Sequence, residues 1–171
     1  DSTNVFSEGR AGSEADVRES LLNIIEKKSK KVIVTSFASN VARMESIFYS
    51  AKKTGRDICL VGRSMHRIYK AAKQCGYLQN LIEPVEPREA KKMSRNKILY
   101  LCTGSQGEPM GAMNRIVNGT HQDVFLESGD SVIFSSKIIP GNEKKLYQLQ
   151  NQITKAEAEI ITEENAFVHV S

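Results

Sequence analysis

Residues Ile98 to Val117 read ILYLCTGSQGEPMGAMNRIV. An apolar segment (Ile98, Leu99, Leu101, Cys102) runs directly into a loop of small polar residues, Thr103 to Gly107. Pro109 then stands at a first helical position, and Met110, Met113, Ile116 and Val117 recur with the spacing of one helix face. A strand that is apolar on both sides has to be covered on both sides, which is the condition of a parallel sheet. The junction also offers free backbone N–H groups at the positive end of a helix dipole, a seat for phosphate. Taken alone, the loop reads first as a tight strand-to-helix turn.

The same pattern repeats along the chain. Ser13 and Asp16 form a capping-box pattern, and Val17, Leu21, Ile24 and Ile25 mark a helical face. Lys27, Lys28, Lys30 and Lys31 follow as its solvated, dipole-favoured end. Val32 to Ser36 (VIVTS) reads as a buried strand. The loop Phe37 to Asn40 (FASN) leads to a helix with Val41, Met44, Ile47, Phe48 and Ala51 inward, stopped at Gly55. Ile58 to Val61 is the next strand, and Gly62, Arg63 and Ser64 turn into a helix with Met65, Ile68, Tyr69 and Ala72 inward. Residues 77–97 carry Pro84, Pro87 and a basic run, and read as loop with a turn or two of helix. Strands are expected near 32–36, 58–61, 98–102, 123–126, 131–135 and 158–162, with a helix after Asn142 bearing Leu146, Leu149, Ile153 and Ala156 inward. Phe167 to Ser171 reads as the start of a further strand. The alternation predicts an α/β fold with a mainly parallel, Rossmann-like sheet between helix layers.

At 171 residues the chain fits a single domain spanning 1–171, with 1–12 and 163–171 as boundary segments. It opens on Asp1, not Met, and is expected to be part of a longer protein. Apolar residues make up 40% and charged residues 26%, enough for a core beneath a solvated surface. No run of about 18 apolar residues exists, so no membrane span is expected. No signal peptide is read at the start, and a cytoplasmic location follows as an expectation. Cys59, Cys75 and Cys102 are an odd, scattered set, read as free thiols in a reducing compartment. The net charge of +4 is compatible with a polyanionic partner without requiring one.

In a parallel sheet the loops FASN, GRS, TGSQGEP and SSKIIPGN all leave the carboxyl edge. They are rich in hydroxyl and amide side chains, and together make a candidate anion-binding rim. Other chemistries find little support. His66, His121 and His169 show no metal-ligand spacing, so no metal site is expected, and His66 and His121 read as surface residues. Walker, GxGxxG and GxSxG patterns are absent. Ser105 lacks a nearby histidine that would make it a nucleophile.

Several runs occur together and in order: DSTN at Asp1 to Asn4, SE at 13–14, TSFASN at 35–40, VGRSM at 61–65, TGSQGEPM at 103–110, RIVNGTH at 115–121, FSSKIIPGNE at 134–143 and HVS at 169–171. Over essentially its whole length the chain resembles the β-CASP domain of the bacterial ribonuclease J-like nucleases of the metallo-β-lactamase superfamily.

That resemblance implies an RNA-binding portion of a metal-dependent RNA-processing hydrolase, inserted into a metallo-β-lactamase domain that carries the HxHxDH motif. The parent would use two metal ions, zinc by resemblance, act as endonuclease, 5′-exonuclease or both, and form a homodimer. Asp1 matches the acidic residue that orients a histidine lying beyond Ser171. By resemblance, Ser39, Asn40, Arg63, Ser64, Gly104, Ser105, Gln106, His169 and Ser171 are the candidates for RNA backbone and 5′-phosphate contacts, since hydroxyls, amides and N–H groups suit sequence-independent phosphate binding. Arg43 reads either as one more anion ligand or as an ion pair on its own helix, and Pro140 to Asn142 as a turn and helix cap. This chain alone is expected to hold no cofactor and to be inactive. The alternative is a free-standing Rossmann-like nucleotide-binding or assembly module.

Overall fold

The computed structural model describes residues 12–170. Five strands form one all-parallel sheet: β1 (Val32–Thr35), β2 (Asp57–Val61), β3 (Ile98–Cys102), β4 (Ser131–Phe134) and β5 (Glu159–Ile161), in the order β2-β3-β1-β4-β5. Val32 of β1 stands level with Leu99 on one side and Ser131 on the other. The continuously apolar strands are buried on both sides, as a parallel sheet demands. Val32, Val34, Ile58, Leu60, Leu99 and Leu101 pack on one face against helices α1 (Glu14–Glu26), α2 (Val41–Lys53) and α3 (Arg63–Gln74). Ile33, Cys59, Val61, Tyr100, Cys102, Val132 and Phe134 pack on the other, against α4 (Pro87–Ala90), α5 (Ala112–Val117) and α6 (Glu143–Lys155). The expected helix–sheet–helix layering is therefore present.

Local rules set the ends of α1 and α2. Ser13 and Asp16 form a reciprocal capping box on α1. The Asn40 side chain accepts the Arg43 N–H at 2.9 Å and caps α2. Gly55, with φ 65°, follows α2, where a left-handed residue ends a helix without steric cost.

Several expectations are corrected. Residues 123–126 form no strand. β4 is already paired on both sides, by β1 and β5, and the Phe125 carbonyl instead accepts Lys31 Nζ at 2.7 Å. Val124 is buried, but the backbone N–H groups of Asp123 and Val124 are held by His121 Nδ1 rather than by a ladder. Residues 167–170 likewise form no strand. The helix expected from Pro109 starts only at Ala112. Gly111 donates back to the Glu108 carbonyl at 2.8 Å, and the resulting turn leaves Met110 on the surface, 83% exposed. Asn142 occupies the N-cap position of α6 without a side-chain cap bond.

The lysine run after α1 is not simply a solvated end. Lys28 pairs with Glu159, and Lys31 is buried between Glu127 (2.7 Å) and the fully buried Asp130 (3.2 Å). Asp130 also accepts the Arg95 guanidinium and the Glu127 N–H. Beside it the buried Arg56 donates to the carbonyls of Lys28, Lys30 and Ile98. These contacts tie the strand-entry loops together along the amino edge of the sheet.

Removing one member of a buried ion pair strands its partner and costs about 3 kcal/mol. Asp130→Ala should lower the urea-unfolding free energy by about that much, because Lys31 stays buried with one counter-charge fewer. A loss below about 1 kcal/mol, the scale of an exposed pair, would contradict this placement.

Candidate functional site

Because every strand runs the same way, the loops after β2, β3, β1, β4 and β5 emerge in that spatial order along the carboxyl edge. Connections from β1 and β2 go to α2 and α3 on one face, and those from β3 and β4 to α5 and α6 on the other. Neighbouring connections that part to opposite faces open a crevice between them.

Between the ends of β2 and β3 lies a cleft of about 550 Å³, lined by Gly62, Arg63, Ser64, Arg67, Thr103, Met110, Ala112 and Arg115. Three arginines converge on it. Among the described residues none of the three is in an ion pair. The amino end of α3 adds to their charge, for Gly62 occupies its N-cap and no side chain caps it. The first N–H groups of an uncapped helix remain available to an anion.

Local backbone shape makes the cleft possible. Gly62 has φ 112°, and a Cβ there would meet the Thr103 hydroxyl at 2.7 Å. Thr103 closes the opposite wall, accepting the Met113 N–H on its carbonyl at 2.8 Å and the Ala112 N–H on its hydroxyl at 3.3 Å. The exposed Met110 thioether adds an apolar surface beside the arginines.

Of the residues singled out from the sequence, the cleft gathers Arg63 and Ser64. Arg67 and Arg115 were missed. Arg67 stands four residues after Arg63, so both fall on one side of α3. Arg115 lies within the RIVNGTH run.

The other candidates stand elsewhere on the edge. Ser39 is exposed in its loop, and Asn40 is engaged as the α2 cap. Gly104, with φ 110°, lets the 103–107 loop press against Met113. Ser105 is buried and its hydroxyl has no partner among the described residues. No base therefore stands ready to take its proton, and a serine nucleophile finds no support. Gln106 braces one loop against the next. Its amide nitrogen donates to the Lys137 carbonyl at 2.9 Å, and its amide oxygen accepts the Ile139 N–H at 2.8 Å. That side chain organises the 136–142 loop; the Gln106 N–H is itself taken by Glu108. His169 is half-buried, with a buried Nδ1 that has no partner among the described residues. Asp1 and Ser171 lie outside the described residues.

Arg43 is neither a rim ligand nor paired on its own helix. It is fully buried and bonds Glu14 of α1 through Nε at 2.9 Å.

Burial pushes the Cys59 and Cys102 thiols up to about 12, so neither supplies a thiolate nucleophile. Burial, then the nearby positive charges of Arg43 and Lys137, pushes His169 down to about 4. His121 is lowered by burial and by Arg115. Among the described residues no group of three or more His, Cys, Asp or Glu side chains could hold a metal ion. His121 Nδ1 already accepts two backbone N–H groups. The residues described therefore do not fit a metal centre.

Comparison with known proteins identifies this architecture. Residues 29–153 match the family model described as the β-CASP domain of ribonuclease J. The chain belongs to the ribonuclease J β-CASP family. Over its whole length it is 38% identical to the ribonuclease J of Sinorhizobium meliloti and 41% identical to ribonuclease J 1 of Streptococcus pyogenes. It is 33% identical to the ribonuclease J of Thermus thermophilus. It spans about 30% of the length of these curated relatives. In this β-CASP domain the GRS run lines one side of the arginine cleft, and of the TGSQGEP run Thr103 lines the other. FASN, and His169 with Val170, lie further along the same edge, after β1 and β5. Among the described residues no helix is long and apolar enough to cross a membrane.

The imidazole of His169 should titrate near pH 4 in the free protein, against an ordinary value of 6.5. Because the folded state disfavours its proton, this group favours folding above pH 6.5, and that contribution is lost as the pH falls towards 4. An NMR titration of the ring resonances checks this; a midpoint at or above 6.5 would contradict the burial described here.

Proposed function

We propose that this chain is the RNA-binding portion of a metal-dependent ribonuclease, and that the Arg63–Arg67–Arg115 cleft carries phosphates of a single RNA strand. The observation that supports this most is the convergence of three guanidinium groups, unpaired among the described residues, on an uncapped helix end at the carboxyl edge. Arginine presents a planar fork of donors that matches phosphate, and its charge is read by backbone oxygens without regard to sequence. Ser64 and Thr103 add hydroxyls suited to phosphate or to a 2′-hydroxyl. Met110 offers a face on which a base can rest.

In this reading the chain binds and orients the strand, and hydrolysis belongs to a metallo-β-lactamase domain of the longer protein, where two metal ions, zinc by resemblance, would supply the activated water. The described residues of this chain do not provide a metal site, and in this reading it grips RNA and leaves the cutting to that domain. The whole protein is read as a bacterial, cytoplasmic RNA-processing and decay enzyme, an endonuclease, a 5′-exonuclease or both, acting as a homodimer.

Two measurements test this. The chain should bind a short single-stranded RNA with an affinity that falls as salt rises. Arg67→Gln and Arg115→Gln should each weaken binding and flatten the salt dependence by about one phosphate contact. Variants that bind as the unaltered chain does would overturn the cleft assignment, and tighter binding of a free dinucleotide than of RNA would favour a nucleotide-binding module. The purified chain should also leave RNA uncut. Chelator-sensitive cleavage by this chain alone would contradict the division of labour.

A further inference from the structure

Arg43 is fully buried, yet no step of RNA binding described above uses it. A buried cation persists only where its donors are matched, and here they are matched by groups from three different places outside α2. Nε and Nη2 donate to the Glu14 carboxylate of α1, at 2.9 and 3.0 Å. Nη1 donates to the Ser135 carbonyl at 3.0 Å, to the Ser135 hydroxyl at 2.8 Å and to the Val168 carbonyl at 2.9 Å. The Ser135 hydroxyl in turn donates to the same Val168 carbonyl at 2.7 Å. Ser46, one turn further along α2, donates to Glu14 at 2.7 Å. The first turn of α1, the first turn of α2, the end of β4 and the segment after β5 thus meet on one guanidinium.

The segment after β5 is the one that most needs this anchor. The main-chain hydrogen bonds made within it are local, from Asn165 and Ala166 to the Thr162 carbonyl and from Val168 to the Ala166 carbonyl. It has no strand ladder of its own. Two side-chain donors from elsewhere in the fold converge on the carbonyl of Val168, and the next residue is His169, whose buried Nδ1 has no partner among the described residues.

We propose that Arg43 is a positioning residue: by holding the Val168 carbonyl against the end of β4, it fixes where His169 stands on the carboxyl edge and joins that segment to the 37–40 loop as one rim. Arg43 can do both because it lies one turn into α2, and its own N–H is the one that Asn40 caps. Only a planar five-donor fork reaches Glu14 on one side and Ser135 with Val168 on the other; a lysine keeps the charge and loses the fork. This inference rests on the reading of that edge as RNA-facing.

The test compares Arg43→Lys, Ser135→Ala and, as a control, Ser50→Ala. The buried Ser50 hydroxyl of α2 donates to the Ser46 carbonyl of its own helix and has no other hydrogen bond among the described residues. The readouts are the ring resonances of His169, the backbone order parameters of residues 169 and 170, and affinity for a 5′-phosphorylated single-stranded RNA. Arg43→Lys should shift the His169 resonances, lower the order parameters locally and weaken RNA binding about fivefold, the order of one ordinary hydrogen bond. Ser135→Ala, which keeps the Arg43–Glu14 pair, should move the same resonances less far in the same direction, and Ser50→Ala should leave them in place. If Arg43→Lys does not fold, the Ser135→Ala shift against the Ser50→Ala control decides. His169 resonances unmoved in Ser135→Ala, or moved equally by the control, would overturn the proposal. Failure of the unaltered chain to bind RNA would count against the RNA reading, while the His169 signals would still decide the role of Arg43.

Discussion

The parallel ladder is the constraint from which the remaining features follow. Once β1 pairs in register with β3 on one side and β4 on the other, every strand points the same way and every connection must cross over a face. All strand exits then lie on one edge and all strand entries on the other. The apolar strands supply the drive, since both their faces are buried by helices. The loops that carry hydroxyls, amides and arginines are thereby brought together, although 162–170 is far from 37–40 in sequence.

Charge is handled differently at the two edges. At the amino edge Lys31, Arg95 and Asp130 are paired, and Arg56 is satisfied by backbone carbonyls. At the carboxyl edge one arginine, Arg43, is paired and fully buried, and three others face an open cleft with no carboxylate partner among the described residues. Paired cations hold loops in place; unpaired ones in a concave site raise the local concentration of anions. The same residue type thus performs two tasks, separated by whether a carboxylate is within reach. Gln106 is a similar case: placed in the most diagnostic loop of the chain, it works as a brace between two loops.

The sequence announced the strands and the larger helices because their signals are local. Continuous apolar runs such as ILYLC, a serine three residues before an acid, and a glycine after a helical face each act within a few residues. The run DVFL carried the same apolar signal and forms no strand, because strand formation also needs a free neighbour and β4 has none. What remained hidden depends on partners distant in the chain. Nothing near Arg43 indicates that it meets Glu14 and Val168, and nothing near Lys31 indicates Asp130. The arginine cleft was half visible: Arg63 was seen in its loop, whereas Arg115 joins it only because α5 folds back behind Thr103.

The central claim is that the carboxyl edge, entered through the arginine cleft, is the surface that meets RNA. Backbone chemical-shift mapping of the chain with a short single-stranded RNA tests it most directly. The largest changes should fall at Gly62 to Arg67, Thr103 to Ser105 and Arg115, with a second set at His169. Changes concentrated instead around the basic entry loops, at Lys28 to Lys31 and Arg95 to Lys97, would contradict it.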